Sequence, residues 1–110
     1  MKRVYELDDP NNNMLLRVSV NKLDKCLSKD SPEFYVSPNT KNGDSIIRIN
    51  SCLNYLKHNQ VLNPPQLLAS FGKIGVIDGR HRIALAKKMG YQYINIEIPQ
   101  DQKNIFIKLS

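Results

Sequence analysis

With 110 residues, of which 41% are hydrophobic and 24% charged, the chain is long enough for one hydrophobic core and too short for two, and its composition excludes a disordered or fibrous protein. Sixteen Lys and Arg against ten Asp and Glu leave a net charge of +6, which points to a polyanionic partner (nucleic acid, a nucleotide or an acidic protein) or to simple solubility. The two cysteines, Cys26 and Cys52, form no C-x-x-C pattern, and with two histidines they exclude a four-ligand zinc site at familiar spacings.

The first ten residues, MKRVYELDDP, hold no apolar stretch of signal-peptide length, and no window reaches the roughly 20 apolar residues of a membrane span. A cytoplasmic protein with no membrane partner is the expectation. One domain over residues 1–110 is expected, with residues 1–13 flexible or forming a short edge strand at 4–7. Asp8-Asp9-Pro10 and the Asn11-Asn12-Asn13 cluster read as a turn. Residues 14–20 (MLLRVSV) alternate as a strand. Residues 21–44, rich in Ser, Asp, Asn, Lys and Pro, read as a long loop with at most a helical turn around Leu23 to Leu27.

Ile46, Ile49, Cys52, Leu53 and Leu56 follow helical spacing, with Asp44 or Ser45 as cap and Asn63-Pro64-Pro65 as stop. Two apolar runs, 66–70 and 73–77, separated by Phe71-Gly72, predict a hairpin. Next comes Asp78-Gly79-Arg80-His81-Arg82, leading into a helix that buries Ile83, Ala86, Met89 and Leu85. Lys87 and Lys88 face its C-terminal dipole and Gly90 supplies the C′ cap. Residues 93–98 (YINIEI) and 105–109 (IFIKL) read as strands. The class is α+β: a small mixed sheet of four to six strands packed with two main helices.

Residues 74–90 (IGVIDGRHRIALAKKMG) carry the most chemistry. A strand that turns through glycine onto a basic helix start is suited to phosphate, because the first amides of a helix are unpaired and carry partial positive charge. The plainer alternative is a surface Asp-Gly turn followed by a solvated basic helix start. His58, near the end of its helix, reads as a surface residue facing the helix dipole. His81, within the turn, is the better general base or phosphate ligand.

With its ordered neighbours, this motif resembles the ParB/sulfiredoxin superfamily, over about three quarters of the chain. The match comprises the first strand and following turn over residues 14–27 with Val18, Val20 and Leu23, the amphipathic helix before Asn63-Pro64-Pro65, the hairpin, Asp78 to Arg82, a helix with Ala84 and Ala86, Gly90, and a closing strand into Pro99. The resemblance implies a ParB/sulfiredoxin-like fold whose turn binds the phosphates of ATP, ADP or CTP. Gly79 would permit close approach of the backbone, and Arg80, His81 and Arg82 would supply cationic donors. Asp78 would fix the turn or help to hold Mg²⁺. Glu33 lies where related serine kinases place a catalytic carboxylate. Arg80 stands where sulfiredoxins have their reactive cysteine, so sulfinic-acid reduction is not expected, and the length leaves no room for a full partition clamp.

The leading expectation is therefore nucleotide binding coupled to phosphotransferase or nuclease chemistry, with His81, Asp78 and Glu33 as catalytic candidates. The alternatives are a non-catalytic DNA-binding or regulatory module, in which Lys87, Lys88 and Arg82 touch nucleic-acid phosphates, and a small effector or toxin domain of the same fold.

Overall fold

Alternating apolar residues drive the first strand, and in the computed structural model, which describes residues 7, 9–59 and 61–110, that strand is β1, Asn13–Ser19. The strand expected at 4–7 lies outside the described residues apart from Leu7, which belongs to no element. Amides of Asn12 and Asn13 donate to the Asp9 carbonyl and close the asparagine turn ahead of β1.

Ser19 both ends β1 and caps the first helix. Its Oγ accepts from the Lys22 amide at 3.3 Å, and the chain passes directly into α1, Val20–Asp30. Val20 thus starts a helix instead of closing the strand. The long loop expected over 21–44 shrinks to residues 31–42, because Val20, Leu23 and Leu27 share one helical face and bury it.

Helix α2, Gly43–Asn59, is capped by Asn42 rather than by Asp44 or Ser45: the Asn42 Oδ1 accepts from the Ser45 amide at 3.0 Å. It buries Ile49 and Leu56, while Ile46, expected on the same face, is 40% exposed. Strands β2, Gln66–Ser70, and β3, Lys73–Asp78, form the expected antiparallel hairpin. Helix α3, Arg80–Lys88, ends as anticipated at Gly90, which has φ +76°. The Gly90 amide donates to Lys87 and the Tyr91 amide to Ala86, the paired bonds of a Schellman cap. Met89 sits in that cap and is exposed, not buried as its spacing suggested.

Strand β4, Tyr93–Pro99, completes a four-stranded mixed sheet in the order β1-β4-β2-β3. β4 runs antiparallel to β1 from Asn13↔Pro99 to Ser19↔Tyr93 and parallel to β2 at Gln66↔Glu97. Glu97 is buried at this junction, where its Oε2 accepts from the Asn13 and Gln66 side-chain amides at 2.6 and 2.9 Å. The strand expected at 105–109 is helical instead, split between α4, Lys103–Phe106, and a 3-10 turn, Ile107–Leu109. Phe106 and Leu109, three residues apart, enter the core together, and Ile105 and Ile107 point to solvent.

The molecule is α+β, with α1 added to the two main helices expected. Its principal core joins α1, α3 and the sheet, while Ala84 and Leu85 pack on the other side of α3 against Ile49 and Leu56 of α2. α3 is therefore gripped from two sides, which fixes the position of its N-terminus. Among the described residues no helix is long and apolar enough to cross a membrane.

Candidate functional site

β3 delivers Asp78 to its end, and Gly79 turns the chain at φ +99°, ψ +19° into α3. Gly79 occupies the N-cap position with no side chain, so the first-turn amides of α3 have no side-chain cap from it. The turn borders an open cleft of about 340 Å³. Arg80 and His81 line it from α3, Arg48 from α2, and Asp78 from β3. Phe34, from the α1–α2 connection, and Val76 and Ile77 of β3 add apolar lining.

His81 is the buried member of this group, 8% exposed, and its Nε2 lies 3.3 Å from the Ser45 Oγ. Burial, then the charges of Arg80 and Arg48, hold its pKa below the ordinary 6.5, so it is neutral at pH 7. Both arginines are exposed, and among the described residues neither has an ion-pair partner. The cleft is therefore a place where positive charge converges without local compensation.

Arg82 is used differently. Its NH1 donates to the carbonyls of Asn63 and Pro64 at 3.1 and 3.3 Å, and its NH2 pairs with the Asp78 Oδ2 at 3.0 Å. This guanidinium ties the chain before β2 to the β3–α3 turn. Arg82 and Asp78 also border a second cleft, of about 430 Å³, beside Asn63 and Cys52. Burial pushes the Cys52 thiol above its ordinary pKa, and the same holds for Cys26, which also lies beside Asp30. Both are free thiols rather than thiolates.

The structure thus brings Asp78, Gly79, Arg80 and His81 to one cleft, with Arg82 behind them. Glu33 is exposed, one residue before Phe34, and does not line the cleft. Lys87 and Lys88 lie at the opposite end of α3, about 12 Å from the turn by the rise of a helix. The Lys87 Nζ donates to the Asn21 side chain, and Lys88 is exposed. His58, as read from sequence, is an exposed helix-end residue with its Nδ1 2.7 Å from the Asn54 carbonyl.

Sequence reasoning missed Arg48, Phe34 and Ser45. None belongs to a motif, and only the packing of α2 and of the α1–α2 connection against β3 and α3 brings them to the turn. Among the described residues no cluster of three His, Cys, Asp or Glu side chains is placed to hold a metal ion. Comparison with family models, with curated proteins and with solved structures gives no match.

Proposed function

We propose that the protein binds a nucleotide, gripping its phosphates in the cleft at the β3–α3 turn. The observation that carries this reading is the convergence of Arg48, Arg80 and the α3 N-terminus around a buried, neutral His81, with the one carboxylate at the cleft, Asp78, already paired to Arg82. A phosphate group supplies the negative charge this arrangement lacks, and arginine is the side chain best shaped to bind it. The likeness of residues 78–82 and their neighbours to the ParB/sulfiredoxin superfamily points the same way, toward ATP, ADP or CTP in the cytoplasm.

Mg²⁺ fits this site only in its usual manner with nucleotides, held mainly by phosphate oxygens and water with Asp78 as the protein ligand. Phosphoryl transfer or phosphodiester cleavage at the cleft would draw on positioning and charge neutralisation by Arg48 and Arg80. His81, neutral, would be the group able to accept a proton there.

The test is equilibrium binding of a labelled ATP analogue. Arg80→Ala and Arg48→Ala are each expected to weaken binding by about tenfold, the loss of one charge-assisted contact. A Lys87→Ala/Lys88→Ala variant is expected to bind as the wild type does. Loss in the lysine variant with none in the arginine variants would favour the DNA-binding module and overturn the proposal.

A further inference from the structure

We infer that Phe34 is the stacking platform for the base, and that the site therefore prefers purine nucleotides through stacking area rather than by side-chain reading of base edges. This rests on the phosphate-binding reading and adds the substrate class. The lining of the cleft is of two kinds: the polar Arg48, Arg80, His81 and Asp78, and the apolar Phe34, Val76 and Ile77. A ligand that suits both is an anion with a flat apolar body.

Phe34 is 62% exposed and Ile77 63%, so apolar surface is open to a ligand beside the converging charge. The segment carrying Phe34 is nevertheless pinned. The Ser31 Oγ donates to the Ile74 carbonyl at 2.8 Å, and the Phe34 amide donates to the Ser31 carbonyl at 3.1 Å. On the other side, the Tyr35 hydroxyl donates to the Asp24 Oδ1 at 2.7 Å. The ring is thus held out by a braced loop, so little ordering is needed when a flat ligand settles on it. Affinity for a base on the ring follows the stacked area, so larger bases gain more.

The experiment titrates the whole chain with ATP, CTP and inorganic tripolyphosphate, using the wild type, Phe34→Ala and Phe34→Trp. The wild type is expected to bind ATP more tightly than CTP, and tripolyphosphate least. Phe34→Ala should weaken ATP by about 5- to 140-fold and leave tripolyphosphate unchanged, the loss expected for one stacked base. Phe34→Trp, in a chain with no other tryptophan, should keep ATP binding and show quenched emission on titration. If the wild type binds ATP no better than tripolyphosphate and Phe34→Ala changes neither, the stacking inference is overturned while the phosphate site stands. If none of the three binds, both fall.

Discussion

A Cβ atom on Gly79 would stand 2.8 Å from the Arg82 NH2 and 2.9 Å from the Pro65 Cβ. The bare backbone at Gly79 is what lets the Arg82 guanidinium fold back over the turn to reach Asp78 and the carbonyls of Asn63 and Pro64. The glycine therefore serves the brace behind the cleft as much as any ligand in front of it.

Gly79→Ala should accordingly destabilise the fold by about 1–3 kcal/mol, since φ +99° and the Arg82 contact penalise a side chain together. Urea denaturation reads this directly. An unchanged midpoint with an unchanged slope would mean that the turn does not need glycine.

Arg82→Ala should cost about 1–3 kcal/mol, mostly from its bonds to the two carbonyls. The ion pair adds little because the Asp78 side chain is 69% exposed. Arg82→Lys should not restore the loss, because one ammonium cannot reproduce the guanidinium fork. Arg80→Ala, at an exposed position, should leave thermal stability unchanged. A stable Arg82→Ala beside a destabilised Arg80→Ala would reverse the roles given to the two arginines.

His81 makes stability depend on pH. Its folded pKa lies below the unfolded value of 6.5, so the unfolded chain binds the proton more readily. The contribution is fully present above 6.5, declines as pH falls below it, and levels off below the folded pKa. Arg80→Ala and Arg48→Ala should each move the His81 titration upward in NMR. No movement in either variant would show that burial alone holds the pKa down.

Phe71 has φ +52° at the β2–β3 turn and a fully exposed ring. Phe71→Asn removes no packing and suits the left-handed backbone better, so it should stabilise the protein by about 0.5–1 kcal/mol. A lowered melting temperature would show that the ring makes a contact worth the strain.

What could be read in advance depended on local signals. The hairpin announced itself through two apolar runs around Phe71-Gly72, and α3 through Gly79 at its start and Gly90 at its end. Helix α1 was hidden because Val20, Leu23 and Leu27 are three apolar residues among polar ones, and its cap, Ser19, also ends a strand. IFIKL alternates like a strand, yet Phe106 and Leu109 bury together as one helical face. At the cleft, the turn residues were legible because they are contiguous. Arg48 and Phe34 were not, since their meeting with Arg80 depends on tertiary packing, and the structural use of Arg82 depends on carbonyls nearly twenty residues before it.

The most direct test is calorimetric titration of the whole protein with ATP, ADP and CTP, with and without Mg²⁺, repeated on Arg80→Ala. Binding that weakens in Arg80→Ala is the predicted result. No heat with any nucleotide under any of these conditions would contradict the claim that the β3–α3 cleft is a nucleotide-phosphate site.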